Sequence, residues 1–243
     1  MTGNDMFFDV SEEQLKKKGT KQVQFTLPYL GTPVTWNNGN RTYIIGYNGT
    51  GKTLLLNEMR AWCDGKGYDY VSYDAVTALG EAEYYIENAS DENVRFACEK
   101  MSDFSMDFRD DIFGWAKAKN GHTVEQIGDF MKDVELLRHV LSMSGAGYTR
   151  MFVMIIKALE NPAADYYFMD LPETSMHLVL AERIVDFLMM HFEYMKFAIA
   201  THSPEVVKDV WNDDGSRDKS DVIEMNLNHI EEERNRKFDE TFA

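Results

Sequence analysis

Thr-Tyr-Ile-Ile-Gly-Tyr-Asn-Gly-Thr-Gly-Lys-Thr, residues 42–53, is the stretch that decides how this chain folds. Its last eight residues, Gly46 to Thr53, match G-x-x-x-x-G-K-T, the pattern of a loop that surrounds a phosphate group. The apolar run before the loop, Tyr43 to Ile45, predicts a strand, and residues 52–63 predict a helix. A glycine turn that matched by chance would lack this context, so the stretch predicts a phosphate site.

Each residue type in this loop has a chemical role. Glycines let the backbone turn tightly, so that its N–H groups can point at a phosphate, and the start of the next helix adds a partial positive charge. Lys52 is expected to reach the β- and γ-phosphates of a nucleotide, and the hydroxyl of Thr53 is expected to bind Mg²⁺. The predicted nucleotide-binding residues here are Gly46, Asn48, Gly49, Thr50, Gly51, Lys52 and Thr53.

Composition limits the class of protein. The chain has 243 residues, 44% of them apolar, which is enough for one large domain with a substantial core. Its net charge of −16 argues against broad nonspecific binding to DNA or to anionic lipid. No apolar run approaches the ~18 residues that a membrane span needs. The first residues lack the layout of a signal peptide, and the two cysteines lack metal-ligand spacing, so we expect a cytoplasmic location and reduced thiols.

Strand and helix patterns alternate along the chain. Residues 23–46 resemble a small antiparallel set of strands that ends in the loop. Residues 80–140 have helical spacing and predict a helical lobe inserted into the domain; Ile127 to Leu141 show one apolar face of a helix. Further strands are predicted at 68–73, 166–169, 197–200 and 222–225, with helices at 151–159, 179–192 and from 204 to about 211. The predicted fold class is therefore α/β, a P-loop NTPase with a mainly parallel sheet flanked by helices, covering residues 1–243 as a single domain.

Two strand ends carry candidate catalytic or metal-binding groups. Tyr166 to Met169 form an apolar strand that delivers Asp170, and in P-loop enzymes a carboxylate at this place holds Mg²⁺. Taken alone the signal is weak, because any strand can end in Asp. Thr201-His202-Ser203 follows the next strand, at the end where ligands of parallel sheets bind. A single His is more often structural, but beside a phosphate site His202 is a candidate for catalysis or for sensing the γ-phosphate.

Residues 143–150, Met-Ser-Gly-Ala-Gly-Tyr-Thr-Arg, form a third candidate site. A serine followed by small residues at a helix start can offer its hydroxyl and backbone N–H groups to a phosphate. The alternative is an ordinary helix cap, which is the commoner role. The position of Ser144 and Gly145, directly before a buried helix and the Asp170 strand, favours phosphate binding.

The order of these motifs resembles the ABC-type ATPases, in particular the soluble branch that includes SMC and RecF heads and OLD-like ATPases. Residues 143–150 resemble the family's Leu-Ser-Gly-Gly-Gln signature, and residues 170–177 resemble its Asp-Glu-Pro-Glu followed by Leu-His. Thr201-His202-Ser203 resembles its switch-histidine motif. The resemblance spans about residues 23–226.

Several positions depart from the family pattern. Leu171 stands where the family has its catalytic Glu, and Glu173 matches a second acidic position. The strand at 68–73 has no convincing Gln at its end, and the signature's second Gly and its Gln are Ala146 and Gly147. These departures make the rate of hydrolysis the open question.

The resemblance implies an ATPase that uses ATP and Mg²⁺. ATP would lie between the phosphate loop of one subunit and Ser144-Gly145 of a second copy in a head-to-tail homodimer. Thr53 and Asp170 would hold Mg²⁺, and Glu173 and His202 are the catalytic candidates. The leading interpretation is a switch that acts on an effector protein, and the resemblance alone points to phage–host conflict. No membrane insertion is expected, and DNA binding is left open. The nucleotide-binding subunit of a transporter and a DNA-repair head are the alternatives.

Overall fold

A computed structural model describes residues 22–27, 33–120, 131–203, 206–207, 210–211, 217–218 and 221–225. Within these ranges the chain divides into two compact units. The first consists of Met1–Ser72, Pro162–Leu171 and Phe192–Ala243, and the second of Tyr73–Asn161 and Pro172–His191. Residues 127–130 of the predicted amphipathic helix lie outside the described residues.

A five-stranded sheet organises the first unit. Its strands are β3 (Arg41–Gly46), β4 (Tyr70–Asp74), β5 (Tyr166–Asp170), β6 (Lys196–Thr201) and β9 (Asp221–Met225), in the spatial order β4-β5-β6-β3-β9. The pairs β3–β6, β3–β9 and β5–β6 are parallel. The strand β4 lies at one edge and runs from the first unit into the second. The predicted α/β class with a mainly parallel sheet is confirmed.

Two short antiparallel pairs accompany this sheet. The strands β1 (Val23–Phe25) and β2 (Val34–Trp36) pair with each other, as do β7 (Val210–Trp211) and β8 (Arg217–Asp218). The predicted small antiparallel strands are present, but β3 does not belong to them, because both of its neighbours are parallel to it. The helix predicted to reach Trp211 was wrong at its end: Val210 and Trp211, a β-branched and an aromatic residue, form a strand instead.

The helix α1 (Lys52–Lys66) packs against β3, β5 and β6. Its buried face, which includes Leu55, Leu56 and Met59, meets Phe168 and Ala198 of the sheet in one apolar cluster. The helix ends at Gly67, whose φ of 71° is left-handed, and the N–H of Tyr68 donates to the carbonyl of Cys63 at 3.1 Å. This is the Schellman type of helix end, for which glycine is suited. The thiol of Cys63 is buried in this cluster, and burial raises its pKa to about 12.

The second unit is helical. Its helices are α2 (Ala78–Asn88), α3 (Asp91–Phe104), α4 (Met106–Asn120), α5 (Val134–Met143), α6 (Ala146–Glu160) and α7 (Leu178–His191). Side chains cap several of the helix starts. The hydroxyls of Ser90 and Ser105 accept from the N–H groups of Asn93 and Phe108, and the Asp133 carboxylate accepts from that of Leu136. Every residue from Met151 to Leu159 in α6 is buried. The run is apolar except for Lys157, whose ammonium group pairs with Glu81, and a helix buried on all sides in this way belongs to the core.

Candidate functional site

Three of the predicted site segments meet at one edge of the sheet. In the parallel pairing, Ile45 of β3 lies opposite Thr201 of β6, and Asp170 of β5 lies opposite Ala200. The strands therefore end together, and the glycine-rich loop, Asp170 and His202 all lie at their carboxyl ends. This is the edge at which open parallel sheets bind ligands.

The glycine-rich loop, residues 46–51, has the backbone that its glycines predict. Gly49 and Gly51 have φ angles of 81° and 92°, which side-chain-bearing residues rarely adopt. Gly46 is restricted for a different reason: a Cβ there would lie 2.6 Å from the carbonyl oxygen of Met225 and 2.8 Å from Oγ1 of Thr50. The Thr50 hydroxyl closes the turn by donating to the carbonyl of Tyr47 at 2.9 Å. All three glycines are therefore required by the local geometry.

Lys52 begins α1 and folds back over this loop. Its Nζ donates to the carbonyl of Gly46 at 2.7 Å and to that of Tyr47 at 2.8 Å, and the residue is only 6% exposed. The ammonium group therefore lies beside the loop. A cation held there adds to the positive potential of the helix start, which favours an anion at the loop.

Thr53 and Asp170 are 117 positions apart in sequence and directly bonded in the structure. The Thr53 hydroxyl donates to Oδ2 of Asp170 at 2.6 Å, the short distance expected when the acceptor is a carboxylate. Asp170 is 4% exposed. The two residues predicted to share a metal ion thus lie side by side at the base of the loop.

The backbone turns sharply after Asp170. Leu171 has a φ of 55°, a left-handed conformation that is costly for a leucine, and its N–H donates to the carbonyl of Ala200 at 2.9 Å. Sequence reasoning missed this turn, because the residue that makes it is neither Gly nor Asn. The departure of Leu171 from the family pattern was the available signal.

His202 is exposed and directly follows β6. The next residue is tied back to the strand, because the N–H of Ser203 donates to the hydroxyl of Thr201 at 3.0 Å. The sequence prediction of a histidine at the carboxyl end of a core strand therefore agrees with its position. Its chemical role stays a prediction.

Ser144 and Gly145 lie in the second unit, between α5 and α6. The Ser144 hydroxyl donates to the carbonyl of Val140 at 2.8 Å, so it completes the last turn of α5. Gly145 is the residue before the first turn of α6 and has extended backbone angles. The helix start that the sequence predicted is present, and in this structure the serine caps the preceding helix.

The turn that carries Glu173, residues 172–176, is also in the second unit. It contains a second left-handed residue, Ser175, with a φ of 63°, and the N–H of Met176 donates to the carbonyl of Glu173 at 3.1 Å. Glu173 is half-buried, and its Oε2 is shielded from solvent. The buried Arg150 donates from Nη1 to the carbonyl of Thr174 at 3.3 Å. Sequence reasoning noted Arg150 only as part of the signature resemblance and did not identify this contact.

Two features are absent from the part of the chain that the structure describes. No group of three or more His, Cys, Asp or Glu side chains in this part of the chain is placed to hold a metal ion. None of the described helices has the length and apolarity required to cross a membrane.

A groove of about 650 Å³ in the second unit is lined by Phe104, Arg183, Phe187 and Met190 among others, and it includes none of the predicted site residues.

The comparisons with known proteins do not identify a family for this chain. No family model matches the chain. No curated protein matches it either. Among solved structures, the chain is similar to an inward-facing conformation of a metal-chelate type ABC transporter, with 13% identity and a TM-score of 0.39 over 76% of this chain and 72% of that one. A likeness at this level carries no functional inference.

Proposed function

We propose that this chain is an ABC-type ATPase that binds MgATP at the loop of residues 46–53. The observation that carries the proposal is the hydrogen bond from Thr53 to Asp170 at the base of that loop. It brings a hydroxyl and a carboxylate, both suitable oxygen ligands, to the place where the metal of a bound nucleotide would lie. The glycine conformations and the buried Lys52 support the same site.

The residues present fit Mg²⁺. This ion prefers six oxygen ligands and commonly takes only one or two from protein side chains, with phosphate oxygens and water supplying the rest. Thr53 and Asp170 can provide that small share. When bound, the ion would neutralise charge on the β- and γ-phosphates, and the loop N–H groups would orient them.

Hydrolysis is proposed to be slow. An attacking water needs a group that orients it and accepts its proton, and such assistance is typically worth about 10²–10⁴ in rate. Leu171, directly after Asp170, cannot accept a hydrogen bond. Glu173 is the remaining carboxylate candidate for this task, with His202 as a weaker one. We expect Glu173→Gln and His202→Ala each to slow whatever turnover the protein has.

The central test is ATP binding by Lys52→Ala. This change removes the cation beside the loop, so the affinity for ATP should fall at least tenfold, on the order of 1.4 kcal/mol or more. Isothermal titration calorimetry measures the affinity. Lys66→Ala is the matched control, because Lys66 lies at the other end of the same helix and is exposed. Unchanged ATP binding by folded Lys52→Ala would remove the proposal.

A slowly turning-over ATPase would keep its ATP-bound form for a long time. We therefore propose that it acts as a switch that holds an effector protein in that form. Capture experiments with ATP-loaded protein, repeated with Lys52→Ala, test this step. A partner that binds both proteins equally would contradict the switch while leaving nucleotide binding intact.

A further inference from the structure

The groove of about 650 Å³ in the second unit lies between the end of α3 and the helix α7. Asp103 and Phe104 come from α3, and α7 supplies the other lining residues, Arg183, Asp186, Phe187, Met190 and His191. The volume is within the range of about 300–1,000 Å³ that natural binding pockets have. All of these residues belong to one compact unit, so the groove is defined within that unit alone.

Apolar side chains from both helices meet in this groove. The ring centroids of Phe104 and Phe187 are 5.5 Å apart, and those of Phe187 and His191 are 5.3 Å apart. Phe104 and Phe187 are nevertheless only half-buried, and Met190 is 77% exposed. Exposed apolar side chains that adjoin one another mark an interaction surface, whereas a single one is ordinary.

The groove is already formed in the structure. Arg183 joins α7 to α3, because its Nη1 donates to the carbonyl of Phe104, the last residue of α3, at 3.1 Å. On α3, Nζ of Lys100 lies 3.5 Å from Oδ2 of Asp103 and 5.5 Å from the centre of the Phe96 ring. Both cations therefore contact groups of α3 itself. A partner that enters a preformed groove does not have to order it first, which lowers the free-energy cost of binding.

Acidic side chains outnumber basic ones on the two helices that form the groove. Helix α3 carries Asp91, Glu92, Glu99 and Asp103 against Arg95 and Lys100, and α7 carries Glu182 and Asp186 against Arg183. At the groove itself, the side chain of Asp103 is 59% exposed. Charge complementarity therefore favours a cationic partner. A second copy of this chain, with its net charge of −16, and a nucleic acid are both anionic and would be repelled.

We propose that this groove docks a basic amphipathic helix of a partner protein. The apolar face of that helix contacts Phe104, Phe187 and Met190, and its Lys or Arg side chains lie beside Asp103 and Asp186. A helix laid in an apolar groove is a recurrent mode of recognition, and cations next to aromatic rings gain a further attraction. Methionine suits such a surface, because its flexible side chain adapts to the partner. The inference goes beyond the proposed function, since the groove includes no residue of the loop and needs no ATP.

The probe is a synthetic peptide of about 18 residues, long enough to form a helix, with leucine on one face and lysine on the other. Two control peptides separate these features. One has the same composition in an order that gives no apolar face, and the other has glutamate in place of lysine. Fluorescence anisotropy without nucleotide measures the affinity of the whole chain for each peptide. The leucine–lysine peptide should bind at least about tenfold more tightly than either control.

Two pairs of variants test whether the peptide binds in the groove. Met190→Ser should weaken its binding about fivefold, whereas Met143→Ser, which removes an exposed methionine from α5, should leave it unchanged. Asp103→Lys should also weaken binding about fivefold, and Asp110→Lys should weaken it about twofold at most. Asp110 is the matched control because it is exposed on α4 and does not line the groove. All four positions are exposed, so each variant should keep the melting temperature of the unmodified protein.

Non-specific attraction of a cationic peptide to an acidic protein would overturn the inference. It would give the leucine–lysine peptide the same affinity as the control without an apolar face, or equal losses in the two members of either pair of variants. A changed mass of Met190→Ser alone in light scattering would show that a second copy covers the groove, and this would overturn the inference as well. Failure of the unmodified protein to bind ATP would refute the proposed function and leave the groove untouched.

Discussion

Leu171 has a strained backbone conformation and occupies the position directly after Asp170, where the proposed reaction would use a carboxylate. A left-handed conformation costs an L-residue roughly 1–2 kcal/mol, and Leu171 adopts it at a φ of 55° directly after the buried Asp170. The other described residues with such angles and a side chain are Asn38 and Ser175, of which asparagine tolerates the conformation well. The strain at Leu171 is held in place by its hydrogen bond to the carbonyl of Ala200. Strain of this kind concentrates at functional sites.

A carboxylate at position 171 tests whether Leu171 slows the reaction. Leu171→Glu places a proton acceptor directly after Asp170. The left-handed backbone conformation is strained for leucine and for glutamate alike, so the substitution does not change that strain. Turnover should rise by about 10²-fold if general-base assistance is what the chain lacks. Steady-state phosphate release measures the rate. Leu171→Gln, which has nearly the same shape and no base, should remain slow; equal rates for both variants would mean that position 171 does not limit hydrolysis.

The elements that sequence reasoning placed well are those with a strong local signal. The strands β3, β5 and β6 each contain an apolar run, and α1 is bracketed by glycines at both ends. The sequence therefore predicted the loop and the edge of the sheet at which Asp170 lies. The elements it did not predict depend on distant partners: β7 exists as a strand through pairing with β8. The contacts of Arg150 with the carbonyls of Ala75 and Thr174 likewise join segments that are 75 and 24 positions apart, and no local pattern records them.

Two glycines in helices test whether α6 is fixed to the turn at 172–176. Alanine is favoured over glycine within a helix by roughly 0.8–1.0 kcal/mol. Gly114 of α4 has open space around its missing Cβ, so Gly114→Ala should stabilise the protein by about that amount. Gly147→Ala should destabilise it, by about 1–3 kcal/mol, because the methyl group meets a backbone carbonyl 2.7 Å away.

Urea unfolding of the two alanine variants gives the comparison. The same gain in stability for both would show that α6 and the turn separate easily. Opposite signs would show that the start of α6 and the turn form one rigid unit.

The negative net charge of the chain opposes its association with a second copy. Each chain carries −16, and a bound nucleotide adds further negative charge. Two copies that approach each other therefore repel at long range, and this repulsion is screened beyond about 10 Å at 0.1 M salt. A nucleic acid partner would show the reverse dependence, because salt weakens the contacts of cations with phosphates. The sign of the salt effect consequently distinguishes a second copy of this chain from a nucleic acid.

We expect MgATP to promote self-association of the chain and salt to strengthen it. The physical reason is that the glycine-rich loop covers only one side of a nucleotide, so a second surface is needed to cover the other, and Ser144-Gly145 of a second copy is the proposed surface. Raising NaCl from about 50 to about 300 mM should increase the dimer fraction measured by light scattering, since screening removes repulsion between like-charged chains.

Ser144→Arg should block association by placing a long side chain on that surface. Ser142→Arg is the control of equal charge, because Ser142 is exposed on α5 two positions away. The same mass with and without ATP would contradict the dimer, and so would normal association by Ser144→Arg. If association instead weakens as salt is added, attraction between opposite charges holds the copies together, and the covered nucleotide does not.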